Sequence, residues 1–145
     1  MYRILMHGCS GAMGSAVCRM CEDNEDFEIA AGVDMVTDRI DCEFPVFKTP
    51  GECDVDFDVI IDFSNKSAVD AICEYAVAKR KPLVCCTTAL EPETCDHLKE
   101  ASRVIPVFKS ANMIVGINVM VELVRQATKA LFSDCDIEIV EAHHH

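Results

Sequence analysis

Short apolar runs alternate with helix-period runs from one end of this 145-residue chain to the other. No other feature constrains its fold as tightly. Strands separated by helices pair in parallel, and a parallel sheet needs cover on both faces. Expected strands run from Tyr2 to Met6, Phe27 to Val33, Phe57 to Phe63, Leu83 to Cys86, Val104 to Phe108 and Ile137 to Glu141. Met13, Ala16, Val17, Met20 and Cys21 share one face of a first helix and predict that this face packs inward. Val69, Ile72, Cys73 and Ala76 mark a second helix, with Ser64 and Asn65 as caps and Pro82 as the stop. A third runs from about Glu91 to Ser102 with Pro92 in its first turn. Val115, Val119, Leu123, Ala127 and Leu131 predict a long helix to about Phe132. Met35 to Asp56 is the least regular part, and Phe44, Val46 and Phe47 are expected to tuck under the sheet's edge.

The first strand leads into His7-Gly8-Cys9-Ser10-Gly11-Ala12-Met13-Gly14. Glycines let backbone N–H groups approach phosphate oxygens, and the helix that follows offers its positive end. The spacing is G-x-x-G-x-x-G rather than G-x-G-x-x-G, so the context of strand, loop and helix carries the reading. Asp34 ends the second strand, twenty residues beyond Gly14. A carboxylate there accepts hydrogen bonds from the adenosine ribose hydroxyls and repels a 2′-phosphate, which favours NADH over NADPH. Arg39 stands close enough in sequence to offset that repulsion. Ligands of parallel sheets bind beyond the carboxyl ends of the strands. The glycine loop, Asp34, Phe63-Ser64, Thr87-Thr88 and Ala111-Asn112 all fall at such ends.

A net charge of −12 disfavours nucleic acid and anionic lipid as partners. No apolar run approaches the roughly 20 residues of a membrane span, and residues 1–6 are too short for a signal peptide. A cytoplasmic protein is expected. The ten cysteines sit mostly in apolar runs, where they behave as small buried hydrophobes. Cys18 and Cys21 form a C-x-x-C within the first helix without a second pair at zinc-finger spacing, so reduced thiols and no metal are expected.

Several stretches together resemble the dihydrodipicolinate reductase family, of the diaminopimelate route to lysine. They are Gly8-Cys9-Ser10-Gly11-Ala12-Met13-Gly14, Ile61-Asp62-Phe63-Ser64, Thr87-Thr88, Ala111-Asn112-Met113-Ile114-Val115-Gly116-Ile117-Asn118 and Glu141-Ala142-His143-His144. The resemblance implies a Rossmann-like doubly wound α/β sheet with helices on both faces. Residues 1–132 would form the dinucleotide-binding domain, and residues 133–145 would begin a substrate and tetramerisation domain. By the same resemblance Gly8, Gly11, Ala12, Met13 and Gly14 line the pyrophosphate site, and Asp34 meets the adenosine ribose. Phe63, Thr87, Thr88, Ala111, Asn112 and Met113 hold the nicotinamide. His143 matches the family's catalytic acid and His144 a substrate contact. The implied reaction is hydride transfer from NADH or NADPH to a cyclic dicarboxylate of the dihydrodipicolinate type, in a homotetramer of the full-length protein. Histidine suits the acid's role because its unperturbed pKa of about 6.5 lets it donate near neutrality.

Cys86 stands where the family usually has glycine, and Ile114 where it has a small polar residue. The lysine and Asp-Ala-Pro-Ser-Gly-Thr segment that follow the family's double histidine are not in this sequence, so an isolated nucleotide-binding part, limited to cofactor binding, is expected. A purification-tag remnant is the alternative source of His143-His144-His145. Two other functions stay open at this point: another nicotinamide-linked dehydrogenase of amino-acid metabolism, or a non-catalytic nucleotide-sensing domain.

Overall fold

The computed structural model describes residues 1–37, 42–140 and 142. The chain divides into two compact units, Met1–Ala111 and Asn112–His145.

The first unit is built on a six-stranded sheet of β1 (Tyr2–His7), β2 (Phe27–Val33), β3 (Val46–Phe47), β4 (Val59–Asp62), β5 (Leu83–Cys85) and β6 (Val107–Lys109). Their order is β3-β2-β1-β4-β5-β6, and every pairing is parallel. This is the expected Rossmann-like doubly wound arrangement. The chain winds outward from β1 to β3, then crosses back to β4 and winds the other way. The switch point therefore lies between β1 and β4.

Alternate residues of a strand face opposite sides, and the core divides accordingly. Leu5 and Ile60 pack with Val69, Ile72, Cys73 and Ala76 of α2 (Val69–Lys79) and with Leu98 and Ala101 of α3 (Pro92–Ala101). Met6 packs on the other side with Cys9 and with Cys18 of α1 (Ala12–Glu22), and Ile61 joins them. Helices thus cover both faces of the first unit. The predicted stripe of α2 is fully buried. Asn65 caps the short 3-10 turn that precedes α2, its side chain accepting from the Ser67 N–H at 3.1 Å.

Within the helices and strands of the first unit, three expectations need correction. The inward face of α1 carries Gly14 and Cys18, while Met13 and Met20 are 55% and 76% exposed. Gly14 lies so close to the Gly8 carbonyl that a Cβ would collide with it. That backbone contact, rather than the larger side chains, sets the helix's rotation. Val46 and Phe47 form a short edge strand paired with Gly32 and Val33, where irregular packing was expected. The last strand of the sheet begins at Val107 rather than Val104, because residues 102–105 close α3 through turns in which Val104 N–H and Ile105 N–H both donate to the Ala101 carbonyl.

The second unit contains α4 (Val115–Leu131). Ahead of it the Asn112 side chain accepts from the Ile114 N–H at 2.8 Å, and the Asn118 amide donates to the Asn112 and Ile114 carbonyls. The strand expected from Ile137 to Glu141 does not form over residues 135–140. A strand exists only where another backbone pairs with it, and among the described residues none pairs here. Glu141 lies outside the described residues.

Candidate dinucleotide site

The glycine loop begins where β1 ends. Gly8 has φ +82°, and a Cβ there would sit 2.6 Å from the Phe63 carbonyl oxygen, so no side chain fits. The loop is tied to both flanking strands. Gly8 N–H donates to the Val33 carbonyl at 2.8 Å, and Phe63 N–H donates to the His7 carbonyl at 2.9 Å. Gly11 is the N-cap of α1 in extended backbone, without a side-chain cap. The first bond into the helix is Ser15 N–H to the Gly11 carbonyl at 2.9 Å. The N–H groups of Ala12, Met13 and Gly14 precede it, at the end of the helix that carries roughly half a positive charge.

A cavity of about 770 Å³ opens above this loop. Gly8, Gly11, Asp34 and Phe63 line it, so four of the predicted site residues come together. Lys48, Thr49 and Pro50 bound it beyond β3, and Ser64, Asn65 and Ser67 bound it beyond β4.

Asp34 does more than end β2. Its Oδ2 accepts the Ser10 N–H at 2.9 Å and its Oδ1 accepts the Val36 N–H at 3.2 Å. The Ser10 hydroxyl in turn donates to the Val36 carbonyl at 2.7 Å. The acid therefore fastens the glycine loop to the exit of β2.

Ala12 and Met13 are exposed at the start of α1, and Gly14 is buried beneath the loop. Thr88 is exposed beyond β5, whereas Thr87 is buried. Its hydroxyl donates to Asp62 Oδ2 at 2.8 Å, so Thr87 supports the rim from below instead of presenting its oxygen on it. Ala111 is exposed at the end of the first unit; Asn112 and Met113 are exposed in the second. His143, His144 and Arg39 lie outside the described residues.

Sequence reasoning missed a buried polar network under the cavity. Asp62, at the end of β4, is fully buried. Its Oδ1 accepts from His7 Nδ1 at 2.8 Å and from the Ser64 hydroxyl at 2.6 Å, with Ser64 N–H at 3.2 Å. Its Oδ2 takes Thr87 and, at 3.5 Å, the Cys85 thiol. Burial alone pushes the Asp62 carboxyl up, but the hydrogen bonds from His7, Ser64 and Thr87 outweigh it and hold the group below the ordinary carboxylate range. Among the described residues this network leaves no buried side-chain nitrogen or oxygen unpartnered. The available signal was an acid and a histidine at the ends of two apolar strands that become neighbours.

The thiols offer no reactive centre inside the core. Burial pushes Cys9 and Cys86 up to about 11 and Cys18 and Cys85 up to about 12. A thiol so far above neutral pH is a poor nucleophile and metal ligand. Among the described residues no three of histidine, cysteine, aspartate and glutamate gather as a metal would need.

The family model described as "Dihydrodipicolinate reductase, N-terminus" matches residues 2–113. The chain belongs to the dihydrodipicolinate reductase family. Two relatives named 4-hydroxy-tetrahydrodipicolinate reductase, from Clostridium tetani and Caldanaerobacter subterraneus, are 42% and 44% identical over 144 residues. Those alignments cover 99% of this chain and 56% of each relative, so the chain spans about half the length of these reductases. The fold is shared with a dipicolinate-bound dihydrodipicolinate reductase from a Paenisporosarcina species, at TM-score 0.73 and 19% identity over 88% of this chain and 54% of that one. It is also shared with a Thermus thermophilus dehydrogenase solved with NAD and α-ketoglutarate, at TM-score 0.66 and 15% identity over 87% of this chain and 47% of that one. With this family and fold, the site is one for NAD(P). The residues present fit such a group: a cradle at Gly8 that any Cβ would fill, an uncapped helix end, and an acid beyond β2. Among the described residues no helix is long and apolar enough to cross a membrane.

Proposed function

We propose that this chain is the cofactor-binding part of a 4-hydroxy-tetrahydrodipicolinate reductase. The observation that carries the reading is the fastening of Ser10 in the glycine loop onto Asp34, with both residues lining one cavity at the sheet's rim. The loop and the first turn of α1, with Gly8, Gly11, Ala12, Met13 and Gly14, receive the diphosphate. Asp34 keeps lone pairs beside its two backbone bonds and accepts the adenosine ribose hydroxyls. Its charge repels a 2′-phosphate, so NADH is preferred to NADPH. Phe63, Thr88 and Ala111 border the nicotinamide, and Thr87 steadies that end through Asp62; for Asn112 and Met113 the nicotinamide role rests on the sequence match alone. When bound, the cofactor supplies hydride for a cyclic unsaturated dicarboxylate.

The remaining chemistry belongs to the end of the chain and what lies beyond it. His143 protonates the carbon next to the reduced one, and His144 contacts the substrate; both assignments rest on the Glu-Ala-His-His match. Residues 1–132 act as the nucleotide-binding domain, and residues 133–145 lead into a substrate domain through which the full-length protein forms a homotetramer in the cytoplasm. The 145-residue chain by itself binds cofactor without turnover.

Titration with NADH tests the core of this reading. Saturable quenching or shift of nicotinamide fluorescence is expected; no saturable signal at millimolar cofactor overturns it. Dissociation constants for NADPH equal to or below those for NADH overturn the assigned preference alone.

A further inference from the structure

We propose that His7 is a cofactor-contacting residue that accepts a hydrogen bond from a hydroxyl of the second ribose, the one that carries the nicotinamide. The inference rests on the dinucleotide reading above and adds a residue to it.

His7 is nearly buried, yet it lines the cavity beside Gly8. Its Nδ1 is fixed on Asp62 Oδ1 at 2.8 Å. Asp62, held in its charged form, has no proton to give, so the ring hydrogen resides on Nδ1. In the neutral form of an imidazole whose Nδ1 carries the hydrogen, Nε2 is the lone-pair acceptor. Among the described residues Nε2 has no protein partner, and no unpartnered side-chain nitrogen is shut off from solvent. Nε2 is therefore reached from outside, and the cavity that His7 lines is the opening that reaches it.

An acceptor at this point selects its partner. Phosphate oxygens are acceptors as well, so the diphosphate does not pair with it; a sugar hydroxyl does. The sheet order decides which sugar. β1 lies between β2 and β4, Asp34 stands after β2, and His7 leans towards Asp62 on β4. With the adenosine ribose on Asp34 and the diphosphate on the loop, the second ribose passes over the β1–β4 switch point. His7, with Ser64 and Asn65 beside it on the cavity wall, faces that ribose.

The test compares three ligands by calorimetry on the 145-residue chain: ADP, which lacks the second ribose, ADP-ribose, which has it, and NADH. His7→Asn keeps a donor towards Asp62 and removes Nε2. It is expected to weaken ADP-ribose and NADH about five-fold, the size of one neutral hydrogen bond, while ADP changes less than about two-fold. Unchanged affinity for ADP-ribose, or an equal loss for ADP, overturns the contact. Long-range proton–nitrogen spectra of the wild-type chain give a second reading that needs no variant. The His7 Nε2 resonance should move on saturation with ADP-ribose and not with ADP, with His97 on α3 as a stationary reference. An immobile His7 resonance overturns the inference while leaving the dinucleotide site standing. A wild-type chain that binds none of the three ligands overturns both.

Discussion

Removing the Asp62 carboxylate tests whether the buried network holds the rim together. Five hydrogen bonds converge on this side chain, from His7 Nδ1, the Ser64 hydroxyl and N–H, the Thr87 hydroxyl and the Cys85 thiol. In Asp62→Ala the His7 N–H and the Ser64 N–H lose their acceptor, and each stranded donor costs about 1–3 kcal/mol. Thr87 escapes that cost, because its hydroxyl is also 3.3 Å from the Ser64 carbonyl and can turn to it. The sum is about 4 kcal/mol, the size seen when one partner of a buried pair is removed. Asp62→Asn is milder. Its amide oxygen keeps His7 and Ser64, and its amide nitrogen donates to the Thr87 hydroxyl, which turns to donate to the Ser64 carbonyl. Only the charge is lost from these bonds, a difference of about 1–2 kcal/mol. At roughly 4 °C per kcal/mol for a chain of this size, melting should fall by about 15 °C in the alanine variant and about 6 °C in the asparagine variant.

Acid denaturation gives an independent check. The folded Asp62 carboxyl lies below its unfolded value of about 3.9. Its contribution is therefore present above that pH and is lost as pH falls through the lower folded value. The wild-type chain should lose stability below about pH 4 more steeply than Asp62→Asn. Circular dichroism melts across pH 2.5 to 7, on the order used for such linkage tests, read both effects. An asparagine variant as unstable as the alanine one, or two variants that both melt like wild type, would refute the reasoning.

Three further outcomes are expected. Gly14→Ala drives a Cβ into the Gly8 carbonyl, and should lower stability by about 1–3 kcal/mol while weakening NADH; Gly51→Ala, with open space around it, should stay within about 0.5 kcal/mol in the same urea titrations. His97 hydrogen-bonds Asp70 at 3.0 Å, and that bond raises its pKa. Its small stabilisation is complete below the unfolded value of about 6.5 and is lost as pH rises through the higher folded value, so His97→Gln should flatten the melting profile over that alkaline-going window. Iodoacetamide at pH 7.5, on the order of a unit below an ordinary thiol pKa, should label exposed Cys135 first and leave buried Cys9, Cys18, Cys85 and Cys86 unmodified by mass spectrometry until the chain unfolds.

Short apolar runs set between helix-period segments made the strands legible, because two-sided burial leaves such a run; β2 was read to the residue and α2 by its whole buried face. The rotation of α1 was not, since it follows from a contact between two glycine backbones that no side-chain pattern records. Nor was β3, whose two residues have no period of their own and exist as a strand only through β2. At the site, sequence spacing located Gly8, Gly11, Asp34 and Phe63 on one rim. It could not show that Thr87 points down rather than up, or that His7 and Asp62 meet. Those facts depend on register: β1–β4 pairs His7 with Asp62 across 55 positions of sequence, and β4–β5 sets Asp62 beside Cys85, just ahead of Thr87.

The Ser10–Asp34 bond also bears on how the loop binds anions. A glycine-rich loop free in solution would lose backbone entropy on closing around a diphosphate, at about 1–2 kcal/mol per ordered residue. Here the loop is fixed beforehand at three places: Gly8 N–H on β2, Phe63 N–H on the His7 carbonyl, and Ser10 N–H on Asp34. The ordering cost thus falls on folding rather than on binding, which is how a preorganised site gains affinity. On the proposed reading Asp34 therefore serves both the ribose and the diphosphate: its replacement by alanine would remove the ribose acceptor and also release Ser10. Asp34→Ala should therefore weaken even inorganic pyrophosphate, which carries no ribose for the acid to recognise. Equal pyrophosphate affinity in wild type and variant would show that the loop keeps its shape without Asp34, and would confine the acid to the sugar.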